Sequence, residues 1–191
     1  MLNNLDKYDV VRGSNSPRRR ELLNDMGVTF RVESIKGIDE NYPDSLPVEE
    51  IPVYLARIKA DGHPLQADEL LITADTVVVL DEAVLGKPVD EADAHRMLRA
   101  LSGRAHRVIS GVCVTTMDRR ESFADTSIVH FAELSNDEID YYIERYRPLD
   151  KAGAYGIQEW IGNIGIAGIQ GDFYNVMGLP TRKLYQLLKT F

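Results

Sequence analysis

The run Glu69–Leu80 limits the fold of this chain more than any other segment. Its twelve residues, ELLITADTVVVL, carry only two charged side chains, and the others are mostly aliphatic or β-branched. A strand of this composition is typical of a sheet that is covered on both faces. The segment therefore predicts an α/β protein in which Glu69–Leu80 is a buried strand.

Asp75 interrupts this apolar run near its middle. A carboxylate in a buried strand is costly unless a cation, a metal ion or hydrogen-bond donors lie close to it. Buried acids with such partners are enriched at functional sites, although structural ion pairs also produce them. Asp75 is thus a candidate catalytic residue, with a structural ion pair as the alternative.

The segment Ser14–Gly27 predicts a short helix whose first turn is crowded with cations. Ser16 is a good N-cap residue, and Pro17 suits the first helical position. The arginines 18–20 follow, although a helix N-terminus favours acidic side chains by about 0.3–1 kcal/mol each. A bound phosphate would remove this conflict, because N–H and guanidinium groups would face it together. An ordinary surface helix with arginines extended into water is the alternative.

Hydrophobic periodicity and capping signals predict the remaining elements. Strands are expected at 8–11, 28–32, 105–116, 122–131, 162–169 and 173–177. Helices are expected at 49–60, from the cap Asp90 to Gly103, after the capping box Ser135–Glu138, and at the carboxyl end after Pro180. No internal repeat or low-complexity linker divides the sequence.

Glu40 and Lys59 are the next candidates for ligand contacts. Glu40 lies beside Asp39 in the turn-rich loop 36–43, where paired carboxylates either face water or contact a metal ion or a substrate. Lys59 is near the end of the predicted helix 49–60, where a cation is normal. A phosphate contact is the functional alternative for this lysine.

Lys87 and Gln158 are candidates on loops. Gly86 and Pro88 fix the backbone around Lys87, which favours a placed side chain over a lysine in a polar turn. Gln158 follows small residues at positions 152, 153, 154 and 156, which permit close approach of a ligand or of a packed neighbour. Its amide offers both a donor and an acceptor, as recognition of a nucleobase requires.

Charge and cysteine content exclude several classes of protein. The formal net charge of -8 argues against a nucleic-acid polymer as a partner, although a local basic cluster can still bind a small anion. A single cysteine, Cys113, cannot form an internal disulfide and suits a reducing cytosol. The sequence has no secretory signal pattern and no apolar run long enough to span a membrane. None of the four histidines has metal-site spacing relative to another.

Three motifs occur in order along the chain: Ser14–Arg19 (SNSPRR), Ala74–Val78 (ADTVV) and Asp150–Gln158 (DKAGAYGIQ). Shorter ones accompany them at 86–88 (GKP), 102–103 (SG) and 178–180 (GLP). The set spans nearly the whole chain and resembles the Maf family of nucleoside triphosphate pyrophosphatases. The resemblance implies one domain, residues 1–191, with an α/β fold related to the inosine triphosphatases. In that fold, helices flank an extended mixed β-sheet, and two lobes enclose a central cleft.

The resemblance also implies an activity. Members of the branch acting on dTTP and UTP hydrolyse these nucleotides to the monophosphate and pyrophosphate, which cleans the nucleotide pool, and they use Mg²⁺ or Mn²⁺. Family members are commonly cytoplasmic homodimers. Asp75 matches the catalytic acidic residue, and Glu40 and Asp75 match metal-site positions. Positions that bind the substrate or set its choice match the following residues: Ser14, Arg18, Lys59, Thr76, Lys87 and Gln158.

The sequence departs from the family pattern at three places. Gly13 replaces a usual alanine, Glu159-Trp160 replaces small residues after Gln158, and Arg147-Pro148 replaces a more familiar Glu-Pro. Three rival functions share the same motifs. They are a nucleotide-binding regulator of cell division (a septum formation inhibitor), an enzyme acting on a modified nucleotide such as 7-methyl-GTP, and a plain phosphatase that releases orthophosphate.

Overall fold

The computed structural model describes residues 1–35 and 37–191. Lys36, the first residue of the predicted acidic loop, lies outside the described residues. Seven strands form one sheet. They are β1 (Asp9–Arg12), β2 (Arg31–Val32), β3 (Glu69–Leu80), β4 (Ala83–Leu85), β5 (Ala105–Thr115), β6 (Arg120–Phe131) and β7 (Ile166–Gln170).

Helices are interspersed with these strands along the chain. The α-helices are α1 (Pro17–Asp25), α2 (Ile51–Asp61), α3 (Glu91–Leu101), α4 (Asn136–Tyr146), α5 (Trp160–Gly165), α6 (Phe173–Met177) and α7 (Thr181–Leu188). Short 3-10 turns occur at Asn3–Lys7, Pro148–Asp150 and Ala152–Ala154. In the described part of the chain, no helix combines the length and the apolar character needed to cross a bilayer.

The sheet is mixed, with strand order β2-β1-β3-β5-β6-β7 and β4 paired to β3. Strand β1 runs parallel to β2 and β3, whereas β3 pairs with β4, and β6 with β7, in antiparallel fashion. The predicted α/β architecture, an extended mixed sheet with flanking helices, is therefore confirmed.

Strand β3 is buried along its length except at one point. Every residue from Glu69 to Leu80 is buried apart from Asp75 and Thr76, which are half-buried. The predicted strand is thus confirmed in both its bounds and its burial. Positions 75 and 76 are thus the part of the strand that is most exposed to solvent.

The chain divides into two compact units. The first comprises Met1–Thr76, Ser110–Asp125 and Gly178–Phe191, and the second comprises Val77–Ile109 and Thr126–Met177. Strands β3, β5 and β6 contribute residues to both. The central cleft between two lobes that the resemblance implies stays a prediction, as does the assignment of residues 1–191 to one domain.

Helix α2 packs tightly on the sheet within the first unit. Val11, Leu71 and Cys113 of the strands form a buried cluster with Ala56 and Ala60 of α2. The Cys113 thiol is buried there, as expected of an inert core residue. A Cβ added at residue 111 of β5 would lie 2.2 Å from the α2 backbone, so only glycine permits this approach. The close packing fixes the position of Lys59, which α2 carries.

The predicted helix caps are present. The Asp90 side chain accepts from the amide of Asp93 at the start of α3, and Ser135 and Glu138 form a reciprocal capping box at the start of α4. Such caps are read from local sequence because the side chain bonds to a backbone amide only three residues away.

Three predicted strands are wrong in whole or in part. Residues 173–177 form helix α6 rather than a strand. The Asp172 carboxylate accepts from the amide of Tyr174 at 2.8 Å, which starts the helix, and Asn175 is turned inward to donate to Val108 O at 3.0 Å. Residues 160–165 form α5, so β7 begins only at Ile166. The strand predicted at 28–32 is reduced to Arg31–Val32. Short apolar runs do not distinguish strands from buried helical turns.

Candidate active site

Asp75 has the cationic partner that its burial requires. Side chains alternate between the two faces of a strand. Thr73 and Asp75 face α2, where Thr73 Oγ1 donates to Ala56 O at 2.7 Å. Lys59 Nζ of α2 donates to Asp75 Oδ1 at 2.6 Å, and both side chains are 15% exposed. The ion pair is thus sheltered, yet it remains within reach of a ligand.

Glu40 meets the same lysine. Its Oε1 lies 3.3 Å from Lys59 Nζ, and the glutamate side chain is 55% exposed. Lys59 therefore holds one carboxylate from the loop before α2 and one from β3. This contact brings together three residues predicted from the sequence, Glu40, Lys59 and Asp75, which are far apart in the chain.

Ser14, Ser16 and Pro17 shape the N-terminus of α1 as predicted. Ser16 caps the helix by accepting from the amide of Arg19 at 3.5 Å, and Pro17 occupies the first helical position. Ser14 Oγ accepts from the amide of Ser16 at 3.2 Å. Arg18 is half-buried in the first turn. Ser14 and Arg18 thus lie on one loop and helix start within the first unit.

Arg19 is the residue that the sequence reasoning missed. Its guanidinium donates through Nε to Gly178 O at 2.9 Å, through Nη1 to Ala74 O at 2.9 Å and through Nη2 to Thr76 Oγ1 at 3.1 Å. Burial lowers the pKa of the Arg19 guanidinium, while nearby Asp75 raises it. Protein carbonyls, rather than water or an anion alone, therefore offset part of the charge conflict at this helix end. Nothing in the local sequence distinguishes Arg19 from its neighbours.

Lys87 and Gln158 belong to the second unit. Both side chains are exposed. Gly86, which precedes Lys87, accepts from the amide of Gly153 at 3.0 Å, so the backbone beside the lysine is fixed as the sequence indicated. The roles of Lys87 and Gln158 stay predictions.

A polar network anchors the segment that carries Gln158. Buried Lys151 forms ion pairs with Asp150 Oδ1 at 2.7 Å and with Glu159 Oε1 at 3.2 Å. The Tyr142 hydroxyl donates to Glu159 Oε2 and accepts from the amide of Gly156 at 3.0 Å. The carboxylate of Glu159, the residue after Gln158, thereby ties this segment to α4.

Comparison with known proteins places the chain in a family. The model of the family described as Maf-like protein matches residues 9–191. The chain belongs to this Maf-like family. A protein of Phocaeicola vulgatus named dTTP/UTP pyrophosphatase is 56% identical over 191 residues, which is 99% of each chain. A protein of Parabacteroides distasonis with the same name is 55% identical over 193 residues, covering all of both chains.

The fold of this Maf-like protein is also found in a solved structure. A HAM1 protein from Coxiella burnetii matches with a TM-score of 0.51 at 14% identity, covering 96% of this chain and 100% of that one. At this identity the likeness concerns the fold alone. It confirms the inosine-triphosphatase-like architecture that the motifs implied.

The three departures from the family pattern have local explanations. A Cβ at Gly13 would lie 2.6 Å from Ile35 Cδ1 and 2.9 Å from Thr73 Cγ2, so those side chains would have to shift for an alanine. Arg147 pairs with Glu91 at 3.1 Å within the second unit. Glu159 belongs to the network around Lys151.

Proposed function

We propose that this Maf-like protein hydrolyses dTTP and UTP to the nucleoside monophosphate and pyrophosphate, and so removes unwanted nucleotides from the pool. One observation carries the proposal: in a chain that matches the family along residues 9–191, Asp75 is sheltered and held by Lys59 at 2.6 Å. The names of full-length relatives at 55–56% identity supply the substrates.

The carboxylates fit a divalent cation. Glu40 and Asp75 both converge on the Lys59 ammonium, so their oxygens already surround one positive charge. Among the residues that the structure describes, no group of three or more histidine, cysteine or acidic side chains forms a protein-only metal cage. Mg²⁺ is usually held by one or two carboxylates together with substrate phosphates, and this donor set suits it or Mn²⁺. When bound, the ion would offset the negative charge of the triphosphate beside Asp75.

We assign the proton transfer to Asp75. Lys59 donates to Oδ1, and Oδ2 would accept a proton from the attacking water. The water oxygen forms a bond to the α-phosphorus, the bond from that phosphorus to the bridging oxygen breaks, and pyrophosphate leaves with the bonding electrons. Lys59 and Arg18 stabilise the charge that gathers on the phosphates.

The remaining sequence-predicted residues receive substrate roles. Ser14 and Arg18 would contact phosphates at the start of α1, where N–H groups favour anions. Lys87 would bind the phosphates, and Gln158 would recognise the pyrimidine through its amide. The resemblance links Thr76 to substrate choice, whereas its contacts with Arg19, Ser110 and Gly178 favour an indirect role in the reaction. A homodimer and a cytoplasmic location stay predictions.

A nucleotide panel with Mg²⁺ or Mn²⁺, scored by chromatography, tests the function. We expect dTTP and UTP to yield monophosphate and pyrophosphate in equal amounts, with other nucleotides slower. Orthophosphate as the product would indicate a plain phosphatase. Binding without turnover would indicate a regulator, and faster turnover of 7-methyl-GTP would indicate the modified-nucleotide branch.

A further inference from the structure

We propose that Arg19 is a positioning residue for the reacting centre, and that Thr76 acts on the substrate through Arg19 rather than by contact with the base. The inference rests on the proposed nucleotide hydrolysis and adds a route by which Thr76 affects it. The residues concerned all belong to the first unit.

Asp75 and Thr76 face opposite sides of β3. Asp75 and Thr73 face α2, where they contact Lys59 and the backbone of Ala56. Thr76 faces α1, where it meets the Arg19 guanidinium at 3.1 Å. Successive side chains of a strand point in opposite directions, so the Thr76 hydroxyl and the Asp75 carboxylate cannot lie on the same face. Thr76 therefore lies behind the carboxylate that performs the chemistry.

The hydroxyl of Thr76 already has protein partners for its full hydrogen-bonding capacity. Its Oγ1 lies 2.8 Å from Ser110 Oγ, accepts from Arg19 Nη2 and lies 3.4 Å from Gly178 O. A hydroxyl offers one donor and two acceptor sites. A pyrimidine could bond to this oxygen only by displacing one of the three protein groups, which would leave that group without its bond.

Arg19 donates to both neighbours of Asp75 in the chain, to the backbone of one and to the side chain of the other. Its Nη1 donates to Ala74 O, the preceding residue, and its Nη2 donates to the side chain of Thr76, the following residue. The planar guanidinium fixes the two acceptors relative to each other, which a single ammonium cannot do. Loss of the Thr76 hydroxyl would remove the hydrogen bond from Arg19 Nη2 and leave, of these two bonds, only the one to Ala74 O.

The same guanidinium is tied to the start of α1. The backbone amide of Arg19 is capped by Ser16 at 3.5 Å, and its Nε donates to Gly178 O at 2.9 Å. Gly178 has a φ of +114°, which only glycine adopts readily, so the acceptor position depends on this residue. Arg19 thus holds the helix start that carries Arg18 against the strand that carries Asp75. A disturbance at Thr76 would alter both together, whatever base the nucleotide carries.

The test compares turnover with nucleotide preference. Thr76→Val removes the hydroxyl at nearly constant shape, Thr76→Ser keeps it, and Arg19→Gln removes the guanidinium. We measure kcat and KM for dTTP, UTP and dCTP. Thr76→Val should lower kcat about 10- to 100-fold for every nucleotide that the wild type turns over, as expected for a lost bond to a charged group, with their ratios unchanged within about twofold.

Four further results are expected. Thr76→Ser should restore wild-type rates. The double variant with Arg19→Gln and Thr76→Val should be no slower than Arg19→Gln alone, because both changes break one unit. Arg19→Lys keeps the charge and should still lose turnover. Thr115→Val, which removes another buried hydroxyl from a strand of the same unit, should retain wild-type kcat.

Several results would overturn the inference. The first is that Thr76→Val changes the preference among nucleotides by more than about tenfold while Arg19→Gln leaves that preference unchanged. The second is that the fold-loss of kcat in the double variant equals the product of the losses in the two single variants. If Thr76→Val does not fold, wild-type turnover in Arg19→Lys would also overturn the inference. A wild-type protein that releases no pyrophosphate from any nucleotide would instead refute the proposed function, so the two failures are distinguishable.

Discussion

Lys59 joins the two carboxylates of the proposed reacting centre. Its ammonium serves two carboxylates, Asp75 at 2.6 Å and Glu40 at 3.3 Å, and all three groups would interact with a triphosphate and its cation. Removing a charge from water is costly unless it is paired. The pairing explains how an acid is tolerated in the most apolar strand of the chain.

Asp75→Asn should abolish most turnover and leave the fold intact. The amide keeps the shape of the side chain but cannot accept a proton from water, so we expect kcat to fall at least about 100-fold. Nucleotide binding should be largely retained. Steady-state kinetics and a melting curve make the measurement.

Asp125→Asn is the matched control for this change. Asp125 is 14% exposed and pairs with Lys183 at 2.6 Å in the same unit, almost as Asp75 pairs with Lys59. Asp125→Asn should lower the stability at most and leave kcat unchanged. Near-normal turnover in Asp75→Asn, or an equal loss in both variants, would remove Asp75 from its assigned role.

Arg12→Leu should stabilise the protein. Arg12 is 2% exposed, and within the described residues its Nε and Nη2 have no acceptor, although Nη1 donates to Ser16 O. Burial, together with Arg20 and Arg19, lowers the pKa of Arg12 to about 10. The charged form is thus destabilised by folding, and at neutral pH, below both the folded and the unfolded pKa, the penalty is fully present.

The expected gain from Arg12→Leu is about 1–3 kcal/mol in the free energy of unfolding, the usual cost of buried donors without partners. Urea unfolding at pH 7 measures it. Arg12→Lys, which keeps a buried cation, serves as the control and should bring no such gain. A lower stability of the leucine variant would show that the guanidinium contributes favourably to this fold.

Among the helices and strands, local sequence signals predicted an element correctly where all the residues that determine it lie close together in the chain. The caps of α1, α3 and α4 and the buried strand β3 followed from side chains within a few residues of each other. Helix α6 was missed because its inward Asn175 bonds to Val108, a residue distant in sequence. Tertiary contacts of this kind override a short apolar pattern.

The candidate site shows the same division. Asp75 and its need for a cation could be predicted from the apolar run, and Lys59 fulfils that need. The inward orientation of Arg19 could not be predicted, because two of its three acceptors are the carbonyls of residues 74 and 178. Backbone acceptors leave no side-chain signature in a sequence.

Strand β5 carries a pH-dependent contribution to stability through His106. Its Nε2 lies 2.7 Å from the Tyr155 hydroxyl, and its ring packs against Phe131. Burial, with a smaller effect of His130, lowers the pKa of His106 to about 4. Because this lies below the ordinary value of 6.5, the unfolded state binds a proton first as pH falls, so stability declines between about pH 6.5 and pH 4.

His106→Gln should remove this dependence while leaving an amide near Tyr155. Each pKa unit corresponds to about 1.4 kcal/mol, so between pH 6.5 and pH 5 the wild type should lose about 2 kcal/mol more stability than the variant. Urea unfolding at the two pH values makes the comparison. Equal losses in both proteins would show that His106 is protonated in the folded state.

For the whole molecule, the net negative charge disfavours the binding of an anionic substrate. The net charge of -8 repels a triphosphate at long range, so binding must depend on local cations such as Arg18 and Lys59. Salt screens the long-range repulsion within about 8 Å at physiological ionic strength.

Hydrolysis of dTTP in ¹⁸O-labelled water tests the central claim most directly, since the claim is that Asp75 directs water to the α-phosphorus. Mass spectrometry of both products locates the label. The account predicts one ¹⁸O atom in the thymidine monophosphate and none in the pyrophosphate. Label in the pyrophosphate, or in released orthophosphate, would contradict it.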